Sequence, residues 1–188
     1  MVDPNFTMFW ARDIPRHTET DADGGVTEIL CIAGALAGTG VDEALYPPPN
    51  SWAADPTADL AIWTVKMSPG SQWTLPPASM CNTRRQLFFF QGATLTIDGQ
   101  IVNGQSSIEV HCNKPVNVIN GSEPSEFLML QGRPIGEPIV QDGPFVMNSD
   151  VEIRQAYVDY RQTRFGDWPW PSNAPVHGPD KKKFALRS

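Results

Sequence analysis

From Asp59 onward, short apolar runs recur along the chain: LAIWTVKM, SQWTL, QLFFFQ, ATLTID, SSIEVH, VNVIN and EFLMLQ. Pro-Gly, Asp-Gly, Asn-Gly and Asn-Gly-Ser sequences divide them, and such residues favour tight turns between strands. The rhythm predicts a mainly β protein, a barrel or a sandwich. In Leu60–Met67 the alternation puts Ala61, Trp63, Val65 and Met67 on one face and Leu60, Ile62, Thr64 and Lys66 on the other. Both faces are rather apolar, which predicts cover on two sides. Upstream, GVTEILCIAGA (25–35) is read as the first strand and residues 1–24 as a linker arm leading to it. Residues 36–58 are crowded with Gly, Pro, Asp and Asn and predict a long loop, stiffened as polyproline II at Pro47–Pro49.

One helix is signalled, over about 150–164. Ser149 and Glu152 have the spacing of a capping box, in which a hydroxyl and a carboxylate each satisfy a free N–H of the first turn. Ile153, Ala156, Tyr157 and Tyr160 share one face, and Gly166 is read as the stop. The tail that follows, with Trp168 and Trp170 among its prolines, cannot be helical. The predicted organisation is therefore an arm (1–24), a β-barrel (25–148), and a C-terminal helix with a Pro/Trp-rich tail packing on the barrel (149–188).

Composition narrows the chemistry. A formal charge of −7 repels a phosphate backbone, so direct nucleic-acid binding is not expected, and Lys181, Lys182 and Lys183 are too few to change that. No run of about 18 apolar residues occurs, so no membrane role is expected and a cytoplasmic location is. Cys31, Cys81 and Cys112 are odd in number and show no C-x-x-C spacing, which reads as reduced, partly buried thiols. His17, His111 and His177 are scattered without H-x-H or H-x-x-x-H pairing, so spacing supports no zinc or iron site. No G-x-S-x-G elbow links the serines, histidines and aspartates into a hydrolase. Leu87, Phe88, Phe89 and Phe90 read either as core or as the lining of a pocket. Arg84 and Arg85 read as an anion-binding pair or as paired surface groups, and Gly132, Pro134, Gly136, Glu137 and Pro138 as a shaped loop or a partner contact. Glu137 is expected to accept backbone N–H bonds, and no second carboxylate is set near it for acid–base work.

The segment from Phe127 to His177, beginning FLMLQGRPIGEPIVQDGPF, resembles the C-terminal signature of pirins. The opening MVDP, the GVTEILCIAG strand and the MSPGSQWTLPP hairpin are also similar to pirin C-terminal halves, so the resemblance covers nearly the whole chain. It implies a cupin-type barrel, a double-stranded β-helix or jelly roll. Pirins resemble two-domain cupins in which an N-terminal barrel holds iron through three histidines and a glutamate. On the cupin motifs, the four ligand positions of this chain fall on Pro76, Ala78, Arg85 and Val116. None offers a lone pair to a metal from its side chain.

The resemblance therefore implies a metal-free half with no cofactor of its own, iron being expected only in an N-terminal cupin. A start at MVDP, where the family's linker runs, leads us to expect a domain's length upstream. The implied role is a structural or interaction half, with catalytic residues unassigned. Its expected partner is an N-terminal pirin cupin or a second copy, other proteins remaining open, and Phe88, Phe90, Arg84, Gly132, Pro134, Glu137 and Pro138 are pocket or contact candidates. Two alternatives follow from the same family: part of a quercetinase-type flavonol dioxygenase, and a regulatory module resembling a transcription cofactor.

Overall fold

The computed structural model describes residues 9–39, 41 and 45–167, and these contain twelve strands, one α-helix and three short 3-10 turns. They divide into two compact units, Phe9–Ile135 and a second beginning at Gly136.

The first unit is built from two antiparallel sheets. One has six strands in the order β1 (Arg16–Thr20), β2 (Val26–Ala33), β3 (Ala61–Met67), β10 (Ser125–Gly132), β5 (Arg84–Gln91) and β8 (Ser106–Val110). The other has four, in the order β4 (Gln72–Leu75), β9 (Val116–Asn120), β6 (Thr94–Ile97) and β7 (Gln100–Asn103). The chain crosses repeatedly from one sheet to the other, as in the jelly roll that the resemblance implies.

Period-two alternation decides which side chains the sheets share. The six-stranded sheet supplies Ile29, Cys31, Trp63, Val65, Met67, Leu87, Phe89, Phe127 and Met129 to the core, and the four-stranded sheet supplies Trp73, Leu75, Leu95, Ile97, Val116 and Val118. Trp73 and Phe127 meet across the sandwich with ring centroids 6.5 Å apart. Each large side chain buried in this way contributes about 1.5–3 kcal/mol of hydrophobic stabilisation.

Three local expectations change. Strand β3 buries one face only: Ala61, Trp63, Val65 and Met67 are in the core, while Ile62 and Thr64 are half-buried and Lys66 is exposed beside Glu126 at 3.7 Å. The strand read as the first is the second, because RHTET at 16–20 pairs along it as an edge strand. That stretch has no apolar residue to signal a strand, and polar edges are how sheets avoid pairing with other chains. Within 36–58, the described residues include a Leu36–Val41 bridge and two 3-10 turns, Trp52–Ala54 and Pro56–Ala58.

In the second unit, the hairpin β11 (Val140–Asp142) and β12 (Phe145–Met147) joins the helix α1 (Asp150–Thr163). The division at 135/136 comes before the 148/149 boundary read from the sequence, because the hairpin packs with the helix: Phe145 meets Tyr157 edge-on at 4.8 Å, Tyr160 at 6.2 Å and Phe165 at 6.0 Å. Ser149 caps α1 by accepting the Glu152 N–H at 3.4 Å. The Glu152 carboxylate reaches one residue further back than a capping box predicts, to the Asn148 N–H at 3.1 Å. The helix stops before Gly166, since Arg164 and Phe165 already take left-handed conformations (φ 47° and 53°). The tail, with Trp168, Trp170, His177 and Lys181–Lys183, lies outside the described residues.

Candidate functional site

The four positions singled out as former metal ligands lie around one end of the jelly roll. Pro76 directly follows β4, whose last residue, Leu75, pairs with Val116 at the start of β9. Arg85 is the second residue of β5 and points inward, 1% exposed, as is Val116. Ala78 lies in the β4–β5 connection, where its N–H donates to the Cys112 carbonyl at 2.7 Å.

Arg85 occupies this end of the barrel. Its Nη1 donates to the Pro76 carbonyl at 2.6 Å, and its Nε donates to Gln131 Oε1 at 2.8 Å, with Nη2 converging on the same oxygen. Gln131, directly opposite Arg85 across the β10–β5 pair, turns its amide nitrogen to Asp59, reaching the main-chain carbonyl at 3.0 Å and Oδ1 at 3.1 Å. The Asp59 carboxylate also accepts from the Met80 N–H at 3.0 Å and from the Thr83 hydroxyl at 2.5 Å. The result is a relay from a buried cation through a neutral amide to a carboxylate. Burial holds the Arg85 pKa below its ordinary value, and the nearby Asp59 carboxylate partly opposes this. A guanidinium is protonated in any ordinary condition, so a fixed positive charge sits at this end.

That chemistry does not fit a metal ion. Pro, Ala and Val offer no donor atom, and Arg85 adds a cation where a carboxylate ligand would be needed. Among the described residues no group of three His, Cys, Asp or Glu side chains is arranged to hold a metal. His17 lies in β1, 3.3 Å from Glu19, and His111 is exposed just beyond β8.

The remaining candidates separate. Arg84, Phe88 and Gly132 come together with Leu130 and Glu109 along a cleft of about 290 Å³ on the outer side of the six-stranded sheet. Phe90 also faces outward and is 44% exposed, whereas its neighbours Leu87 and Phe89 are core, so strand alternation splits the LFFF run evenly. Pro134 is exposed beyond β10. Glu137 and Pro138 belong to the second unit, where the Glu137 carboxylate accepts from the Asn148 side-chain amide in place of the expected backbone N–H groups. Sequence reading missed Gln131 and Asp59. Their only signals are a polar residue at an inward position of an apolar strand and an aspartate ahead of another.

Residues 62–166 match the profile of the pirin C-terminal cupin domain. The chain is 30% identical over 166 residues to Pirin-1 of Arabidopsis thaliana, covering 88% of this chain and 53% of that protein. It is 29% identical over 167 residues to the pirin-like protein of Solanum lycopersicum, covering 88% and 52% respectively. A crystal structure of quercetin 2,3-dioxygenase from Acinetobacter baumannii superposes with a TM-score of 0.63 at 25% identity, over 84% of this chain and 49% of that one. The chain thus spans about half the length of the curated relatives it matches. Among the described residues, no helix is long and apolar enough to cross a membrane.

Proposed function

The chain belongs to the pirin family, carrying its C-terminal cupin domain, and on that premise we propose that it is a structural and interaction half, a cupin that holds no metal and packs against an iron-bearing cupin partner. The observation that carries this reading is Arg85, a buried cation bonded to Pro76 and Gln131 where the family's resemblance to metal cupins calls for a carboxylate. A partner-packing role is supported by the outer face of the six-stranded sheet, where Leu30, Ile62, Leu128 and Phe88 are half-buried and Leu130 and Phe90 are exposed. A partner with an apolar face would remove that surface from water, at about 25 cal/mol for each Å² covered. The similarity to a quercetin 2,3-dioxygenase supports a second reading on the same footing: flavonol ring opening would occur in an assembly whose other half supplies the metal. A cytoplasmic location goes with both, and free thiols at Cys31, Cys81 and Cys112 support it.

Elemental analysis combined with oxygen uptake tests the reading. The purified chain is expected to hold far less than one iron, copper, nickel or zinc per molecule and to leave quercetin unconsumed when ferrous iron is added. About one tightly held transition metal per chain, or chelator-sensitive flavonol turnover by the chain alone, overturns it.

A further inference from the structure

Two cysteines come together at the rim beside Arg85, a juxtaposition that the sequence does not signal. Cys81 is exposed in the β4–β5 connection and Cys112 is half-buried just after β8, 31 positions further along the chain. The Cys112 Sγ donates to the Cys81 carbonyl oxygen at 3.6 Å. Both line a cleft of about 410 Å³ together with Arg84, Arg85, Glu109 and His111. The two segments are fastened to each other by the Ala78 N–H, which donates to the Cys112 carbonyl at 2.7 Å. Cys112 also lies within electrostatic reach of the buried Arg85 guanidinium. A disulfide needs Cα atoms within about 7 Å, and the Cys112 Sγ already lies 3.6 Å from the main chain of Cys81.

We propose that Cys81 and Cys112 form a reversible dithiol–disulfide pair that takes hydroperoxides as oxidant and ties the β4–β5 connection to the end of β8. The reaction balances in two steps. One thiolate attacks a peroxide oxygen, the O–O bond breaks, and the products are a sulfenic acid and, for hydrogen peroxide, water after protonation of the leaving hydroxide. The second thiolate attacks the sulfenic sulfur, the S–O bond breaks, and a second water leaves as the S–S bond forms. Two thiols have then lost two electrons and two hydrogens to one peroxide. A small thiol such as glutathione restores the pair by exchange. Reactivity is confined to this rim because Cys31 is sealed in the core, where burial pushes its thiol up to about 11.

The test is to treat the reduced, full-length chain with hydrogen peroxide, trap free thiols, and map it by non-reducing peptide mass spectrometry. The expected result is a monomer lighter by two hydrogens, with a Cys81–Cys112 linked peptide, Cys31 recovered as free thiol after unfolding, and reversal by dithiothreitol. The oxidised form should also show a higher Tm, lost again on reduction, because the link constrains the unfolded chain. Cys81→Ser should instead leave Cys112 as a trappable sulfenic acid or a mixed disulfide. Oxidation that joins separate molecules, that involves Cys31, or that carries Cys81 and Cys112 independently to sulfinic acid overturns the proposal.

Discussion

The two ends of the jelly roll bury polar groups by opposite means. At the Met67 end, the Asn120 amide donates to the carbonyls of Met67, Ser68 and Glu123 at 2.8–3.1 Å and accepts from the Ser125 hydroxyl. Nearby, the Asp21 carboxylate gathers backbone N–H groups from Gly25 and Gln72 at 2.7 Å each, and a side chain on Gly25 would collide with the Ser71 backbone, 2.7 Å away. Each group here is answered by its immediate surroundings, and the network serves to pin turns. At the Ala61 end, a full charge is buried: Arg85 meets one main-chain carbonyl, that of Pro76, and is linked to the Asp59 carboxylate through Gln131. The contrast teaches that satisfaction by neutral backbone makes an end locally robust, whereas a relayed charge makes it depend on one neutral link.

Gln131 is that link, so its loss should produce the largest effect. Gln131→Ala strips the guanidinium of its side-chain acceptor and is expected to cost about 3 kcal/mol, read from the urea midpoint. Arg85→Met, which removes the charge along with its desolvation cost, should cost less. If Arg85→Met proves the more damaging of the two, the charge is stabilising in its own right and the contrast between the ends fails. Asn120→Ala should cost about 2 kcal/mol by leaving several carbonyls without their donor. Because the two ends share no partner, the Asn120→Ala and Gln131→Ala losses should add to within about 0.5 kcal/mol, and a larger coupling would show that they form one network.

Ser149→Ala, in the second unit and remote in sequence from either end, removes the helix cap and should cost about 1 kcal/mol in a chemical denaturation series. The smallest effect concerns pH. Asp21 is held below the usual 3.8, chiefly by the Gln72 N–H and then by that of Gly25. A depressed folded value means that its contribution is complete above about pH 4 and fades as the pH falls through that lower value. Acid should therefore weaken the turns that Asp21 pins, and Asp21→Asn should flatten the acid limb of a Tm-against-pH curve. An unchanged limb would place acid sensitivity elsewhere.

The strand rhythm and the helix were legible because each is a local pattern: alternation in LAIWTVKM, and a serine three residues before a glutamate. Motif spacing pointed to Pro76, Ala78, Arg85 and Val116, and the fold brings Pro76, Arg85 and Val116 to one end of the barrel. Strand β1 was not, since an edge strand of RHTET has nothing apolar to alternate. The outward turn of Phe88 and Phe90 was not either, because four apolar residues in a row hide the period. Gln131 and Asp59 escaped for a different reason: their significance lies in partners far along the chain, and no local window contains both members of any of those pairs.

That separation has a kinetic side. Asp59, a non-glycine residue held in the left-handed region at φ 49°, accepts from Met80, Thr83 and Gln131, which lie 21, 24 and 72 positions away. Such a knot joins segments far apart in sequence, and it is expected to tighten late, on the native side of the folding barrier, which folding and unfolding rates of Gln131→Ala beside the parent chain would check. Its strength then governs how slowly the barrel comes apart, far more than how fast it assembles, and a chain lacking Gln131 would fold on schedule yet stay folded for a shorter time.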